Sequence, residues 1–440
     1  MKASRLEAIR ELDRDYGIFY SLSDDESLES AEFHFSAKDN LTTVDHETTA
    51  GSRILSGYRP PFDAAPVESL RKAGGALLGK TSMDEFGFGT FSVNSAFALP
   101  RNPHDRERSC GGSSGGAACA AALIDGHIAL GVSTGGSISC PAAFCGVVGF
   151  TPTYGRVSRH GLLDYGSSLD KVGMLSADCA SIAERFPLIA GPDPRDPTSC
   201  GHPEHRERSA ARSVGIPRQS LEGIPEEVMS VFNDAVETLR GDMGLEVIEV
   251  DMPLFRYAQP AYYIIATSEA STNLARYGGM RYGARGEDLD THFDGYFRQV
   301  RSAGFGREAK RRILLGTFTR MVGYRDRYYV KALQVRQALI AEYRRAFASC
   351  DMLLAPTMPF VAPRFDEVEA MSLLETYLAD HLTIPPNLAG MPHMSLPCGE
   401  IDGMPLGMQL TADHWHEDRL LKAGLEWERR FEYPVPEARA

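Results

Sequence analysis

Residues 110–139 constrain the fold of this chain more than any other stretch. Two short glycine-rich turns, CGGSSGGAA (110–118) and GVSTGGSIS (131–139), bracket a helical run of small residues (117–124) and a strand, Ile128–Val132. A turn, helix, strand and turn in such close succession belong in a layered α/β sheet. Each turn also carries a serine, Ser113 or Ser137. A serine attacks an amide only where one group takes its proton and others steady the oxyanion that forms. A proton acceptor is available upstream in FSAKDNL (35–41), where Phe33, Phe35 and Ala37 alternate with polar residues as a strand leading to Lys38. No histidine is required.

The rest of the chain repeats the same alternation. Helices are predicted at 3–16, 65–73, 225–240, 262–277, 307–348 and 416–431. Strands are predicted at Ala76–Leu78, Gly146–Phe150, Leu245–Val250, Leu353–Ala355, Met394–Pro397 and Leu406–Leu410. Strands separated by helices give an α/β fold with a layered sheet. Residues 22–31, acidic and serine-rich, read as a loop, and 195–212, rich in charge and proline, as a surface excursion. No repeat or linker divides the 440 residues.

Charge and cysteine usage narrow the function classes. A formal charge of −13 argues against nucleic-acid binding through a general basic field, so any RNA needs a local patch or a partner protein. Lysine is scarce: Lys38 is one of eight, against a large excess of arginine, and a lysine beside an apolar strand draws attention. The eight cysteines form no CxxC pair and read as reduced thiols of a cytoplasmic protein. The longest small or apolar run, Ala117–Ile124, is too short to cross a membrane, and the N-terminus lacks a signal-peptide layout. The histidines have no metal-ligand spacing.

Two motifs mislead. GGALLGKT (74–81) satisfies the phosphate-loop expression, but a helix precedes its glycines and the strand Ala76–Leu78 interrupts it, leaving Lys80 after the strand. GGSSG (111–115) satisfies the nucleophile-elbow expression. That elbow follows a strand directly, whereas RNPHDRERSC (101–110) is polar and loop-like, and no setting singles out Asp380 with His393 or His414 as its partners.

A third arrangement uses both serine turns. The backbone N–H groups of Thr134, Gly135, Gly136 and Ser137 can converge as a nest for an oxyanion. Ser113 can relay a proton from Ser137 to Lys38, provided burial or nearby positive charge keeps the lysine neutral.

These residues carry a resemblance. The stretch GGSSGGAACAAALIDGHIALGVSTGGSISCPAAFCGVVGFTPTYGRVS (111–158), with AKDN (37–40), resembles the amidase signature family. The spacings agree: Ser113 follows Lys38 by 75 residues, and Ser137 follows Ser113 by 24. The resemblance implies an amidase signature fold, a central mixed β-sheet flanked by helices on both faces, over one domain spanning 1–440. The signature core would occupy about 30–175 and a glutamine-pocket half about 255–430. It further implies Ser137 as nucleophile, Ser113 as a bridging serine after a cis Gly112–Ser113 peptide, and Lys38 as base.

Within the family, SEASTNLARYGGMRYG (268–283), KRRILLGTF (310–318) and DHLTIPPNLAGMP (380–392) resemble the glutamine-hydrolysing A subunits of tRNA-dependent amidotransferases. That resemblance implies that Tyr262, Arg312 and Asp380 hold the α-amino and α-carboxyl groups of L-glutamine, a guanidinium for the carboxylate and a carboxylate for the ammonium. It implies ammonia production for amidating glutamate or aspartate mischarged on tRNA. The partners are then the B and C subunits of a heterotrimer, with ATP and Mg2+ on the partner and mischarged tRNA held mainly by the B subunit. No cofactor or membrane is implied for this chain. Two departures stand out: the family usually has aspartate at Ser133 and arginine at Ser139, read here as a charge pair lost together. The rival readings are a stand-alone amidase acting on another small amide and a non-catalytic scaffold.

Overall fold

Alternate residues of the central strands feed opposite faces of one sheet. In the computed structural model, which describes residues 3–23, 28, 31–201, 203, 211–286 and 290–439, Ile128, Leu130 and Val132 enter one apolar core while Ala129 enters another. The strands are β1 (Phe19–Leu22), β2 (Phe33–Lys38), β3 (Gly75–Thr81), β4 (Ile128–Ser133), β5 (Val148–Thr151), β6 (Lys171–Ser176), β7 (Ser213–Pro217), β8 (Glu246–Val250), β9 (Met352–Pro356), β10 (His393–Ile401) and β11 (Met404–Ala412). They form an 11-stranded sheet in the order β1-β3-β2-β4-β6-β5-β10-β11-β9-β7-β8. The sheet is mixed: β2 runs parallel to β3 and β4, and β7 to β8 and β9, while the remaining pairs are antiparallel.

This topology positions the candidate residues. Because β2 and β4 are parallel neighbours, Lys38 at the end of β2 and the turn after Ser133 at the end of β4 emerge on the same edge. Ligands in α/β sheets bind at the carboxyl ends of such strands. The helix Gly115–Leu123 is buried along its whole length, which suits its sequence of glycine and alanine with one cysteine and one leucine. A Cβ on Gly116 would lie 2.4 Å from Ser82 Oγ, so only glycine lets the first turn come this close.

Several predicted boundaries need correction. The 307–348 helix is two, Arg307–Arg320 and Lys331–Ala346, separated by a turn and a single π-helical turn, Asp326–Val330. Gly323, at φ +86°, supplies the turn. The strand expected from Gly146 begins at Val148, because Gly146 takes φ +67° to end the helix Ser139–Cys145. Lys80 lies inside β3 and not after it: buried, it pairs with buried Asp39 at 3.2 Å and donates to Thr48 Oγ1 at 2.9 Å. The loop expected at 22–31 falls largely outside the described residues, as do 202 and 204–210 of the excursion expected at 195–212. Among the eight cysteines, all free, only Cys200 is exposed. No helix among the described residues is long and apolar enough to cross a membrane.

Candidate active site

The first requirement of serine attack is a base, and β2 delivers a candidate. Lys38 Nζ lies 2.7 Å from Ser113 Oγ, 2.8 Å from Ser114 Oγ and 3.1 Å from the Val132 carbonyl oxygen. An ammonium donates to all three; a neutral amine donates to two and accepts the third proton from Ser113. Burial favours the neutral form, bringing the lysine down from its ordinary value to about 7, against the opposing pull of Asp84 and Asp170. The Gly112–Ser113 peptide is cis, and Gly111 before it takes φ +74°. Asp84 braces this turn: its backbone N–H donates to the Ser113 carbonyl at 3.3 Å, while its carboxylate accepts the N–H groups of Ser92 (3.0 Å) and Asn94 (2.8 Å). A Cβ on Gly112 would lie 2.2 Å from Asp84 Oδ2.

The second requirement is a set of unpaired donors beside the nucleophile. Neither the Ser137 hydroxyl nor the backbone N–H groups of Gly135, Gly136 and Ser137 meet a hydrogen-bond acceptor among the described residues. Ser137 and Ser113 are both buried, and no direct hydrogen bond joins their side chains. The loop is held from three sides. Thr134 Oγ1 donates to Asp170 Oδ1 at 2.6 Å, Asn387 Nδ2 donates to the Thr134 carbonyl, and Ser133 Oγ donates to the Gly135 carbonyl at 3.3 Å. Asp170, pushed up to about 7 by burial, also accepts the N–H groups of Tyr165 and Gly166. A Cβ on Gly136 would lie 2.0 Å from Thr383 Oγ1, and one on Gly135 2.9 Å from the Tyr262 hydroxyl. Ser133 and Ser139 are both buried, and the Ser139 hydroxyl meets no hydrogen-bond partner among the described residues. The departures from the family pattern are thus two neutral groups in a closed setting.

Tyr262, Arg312 and Asp380 come together, all buried, but through intermediaries. Tyr262 packs on Gly135 and meets Tyr263 edge-on, with ring centroids 5.0 Å apart. The Arg312 guanidinium sits among the rings of Phe88 (5.1 Å), Tyr263 (5.4 Å), Tyr165 (5.5 Å) and Tyr377 (5.5 Å) and donates to the Tyr165 hydroxyl. Asp380 accepts from Thr90 Oγ1 at 3.3 Å and from the Tyr263 hydroxyl at 3.4 Å. Burial pushes its carboxyl up to about 6, against the pull of Arg312. Thr90, Tyr263, Glu308, Arg312 and Tyr377 line a cavity of about 260 Å³, and Ser137 is not among its lining residues.

Sequence reasoning missed the groups that hold these residues in place. Glu308 accepts from Arg312 Nε at 2.8 Å and from the Tyr377 hydroxyl at 2.7 Å. Its spacing, four residues before Arg312 on one helix, is the signal that could have found it. Asp84 and Asp170 carry no comparable local signal. Among the described residues, no cluster of three or more histidine, cysteine or acidic side chains could hold a metal ion.

Comparison with known proteins finds relatives over nearly the whole chain. Residues 34–421 match the family model described as Amidase. The chain is 46% identical over 398 residues to the A subunit of the glutamyl-tRNA(Gln) amidotransferase of Methanospirillum hungatei JF-1, covering 89% of this chain and 91% of that one. The crystal structure of the A subunit of the Thermotoga maritima glutamyl-tRNA(Gln) amidotransferase superposes with a TM-score of 0.83 at 33% identity, covering 99% of this chain and 94% of that one. The native peptide amidase from Stenotrophomonas maltophilia superposes with a TM-score of 0.80 at 27% identity, covering 99% and 94% respectively. The fold is therefore shared with an amidase of different substrate.

Proposed function

The chain belongs to the amidase family, and we propose that it is the glutamine-hydrolysing subunit of a tRNA-dependent amidotransferase. Similarity to the A subunits of such enzymes over nine-tenths of the chain supports the assignment. The observation that carries the chemistry is the buried lysine, 2.7 Å from Ser113, together with a Ser137 hydroxyl that meets no hydrogen-bond partner among the described residues. Ser137 Oγ attacks the side-chain amide carbon of glutamine. Its proton passes through Ser113 to neutral Lys38, and the N–H groups of residues 134–137 take the oxyanion. Lys38 returns the proton through Ser113 to the leaving nitrogen, and ammonia departs. Water then cleaves the γ-glutamyl ester by the same relay, giving glutamate. A base near pH 7 is about half neutral at that pH, a compromise between availability and strength.

Arg312 takes the substrate's α-carboxylate and Asp380 its α-ammonium, with Tyr262 closing the pocket against the nucleophile loop. The whole chain acts as one amidase domain, the core near 30–175 carrying the triad and the half near 255–430 carrying the pocket. Ammonia passes to a partner, the B subunit together with the C subunit, which binds ATP, Mg2+ and the mischarged tRNA. The protein works in the cytoplasm and holds no cofactor of its own. The formal charge of −13 fits a protein that leaves most RNA contact to another chain.

The decisive experiment is capture of a covalent γ-glutamyl adduct at Ser137 with a glutamine analogue, read by mass spectrometry of the chain alone and with its partners. An adduct on Ser137, lost in Ser137→Ala, is expected. Its absence even in the complex would put the scaffold reading ahead. Arg312→Ala should lose glutamine turnover, and undiminished turnover would favour an amidase for another substrate.

A further inference from the structure

The helix Arg307–Arg320 presents two unlike faces. Inward, Glu308, Ala309, Arg312, Gly316 and Thr319 are buried. A Cβ on Gly316 would lie 1.8 Å from the Thr267 carbonyl oxygen, so this helix packs backbone to backbone on Ala258–Asn273, the helix that carries Tyr262. A 2.7 Å hydrogen bond between the Ser268 and Thr319 hydroxyls pins the pair. Outward, the spacing of four then three residues puts Leu314, Phe318 and Met321 on one stripe. Leu314 is 71% exposed and Val322, next in the chain, 100%. Tyr324 and Tyr328 fold back onto Phe318, their ring centroids 4.6 and 5.8 Å from it, while all three rings remain exposed.

A continuous apolar surface of this kind marks an interaction site. Its surroundings say what it meets. Residues 307–331 contain eight basic and two acidic residues, on a chain whose formal charge is −13. Arg307, Lys310, Arg325, Arg327 and Lys331 are all exposed around the stripe. A nucleic acid would use the cations and the rings, but not the exposed Leu314, Met321 and Val322, which complement an apolar protein face.

We propose that this face docks the ammonia-consuming partner protein, through a partner surface that is apolar at its centre and acidic at its rim. The inference rests on the function proposed above. The bound partner sits across the helix from Arg312 and bears on the rigid helix pair that carries both Arg312 and Tyr262. Docking and glutamine binding thereby share one structural element.

The test combines Leu314→Glu with Val322→Glu and measures glutaminase activity of the isolated chain and its affinity for co-expressed partner subunits. Unchanged basal glutaminase with binding weakened at least about thirtyfold, the size of one lost hot spot, is expected. If the double variant loses basal activity through misfolding, Arg325→Glu with Arg327→Glu tests the rim, where slower association at low salt is expected and an unchanged rate overturns the proposal. Unchanged partner affinity in a folded variant overturns it. So does loss of tRNA binding or of self-association with partner affinity intact, which would assign the face to RNA or to a second copy. A wild-type chain that hydrolyses glutamine yet binds no partner also overturns it, without touching the catalytic reading. A wild-type chain that binds the partner but never hydrolyses glutamine indicts the catalytic reading and leaves the docking face standing.

Discussion

Two protons govern the proposed reaction, and the structure sets where each is lost. Lys38, at about 7, accepts the serine proton only when neutral, so activity rises as pH rises through that value. Asp380, at about 6, holds the substrate ammonium only when ionised, and so also requires the higher pH. At pH 8 about nine-tenths of the enzyme has both groups deprotonated; at pH 6 about a tenth of Lys38 is neutral and about half of Asp380 ionised. The product falls about twentyfold between pH 8 and pH 6, with a limb of slope one steepening towards two below pH 6. Steady-state glutaminase assays across pH 5–9 test this, because kcat/KM reports the free enzyme. Asp380→Asn should raise KM and leave a limb of slope one. Asp170, also near 7, buttresses Thr134 in the same window, so Asp170→Asn is the control in which the Lys38 limb persists. A profile flat from pH 6 to 8, or one that rises only above pH 9, would refute the neutral-lysine mechanism.

Three other perturbations probe the supports of the site. Glu308→Gln removes the charged acceptor of Arg312 Nε, and KM for glutamine should rise about tenfold or more with kcat little changed, since such bonds contribute about 1.5–3 kcal/mol. Gly136→Ala drives a methyl into Thr383, so kcat should fall at least about a hundredfold as the oxyanion donors shift, more than any change in KM. Ser133→Asp alone puts an unpaired carboxylate in a closed site and should cost about 3–5 kcal/mol in denaturant unfolding, recovered when Ser139→Arg is added. A single variant as stable and active as the parent would sink the charge-pair reading.

Much of this site is legible in the sequence because its chemistry sits on local signals. Alternation ends at Lys38, and glycines flank both serines, so strand, turn and helix follow from spacing alone. What escapes is whatever depends on distant packing. β6 (KVGMLS) is buried on both faces and so shows no alternation. The helix Ser139–Cys145, seven residues long, is too short to display a period. β1 is four residues at the sheet edge. Asp84 and Asp170 are invisible for a different reason. They act by filling space left by glycines and donors brought from elsewhere, and only the folded chain supplies those neighbours. Tyr262, Arg312 and Asp380 became visible through resemblance, since as single residues, two on helices and one in a turn, they are ordinary.

β10, from late in the chain, pairs with β5, which directly follows the nucleophile loop and its helix. The half of the chain proposed to hold the substrate and the half proposed to cut it are therefore joined at this seam by backbone hydrogen bonds within one sheet. For the history of such proteins this favours change of one kind. If Arg312 and Asp380 hold the substrate as proposed, new specificities arise by exchanging side chains around them on a fixed frame. Recombining one half of the chain with a foreign counterpart succeeds only if the graft reproduces the His393–Thr151 register across that seam.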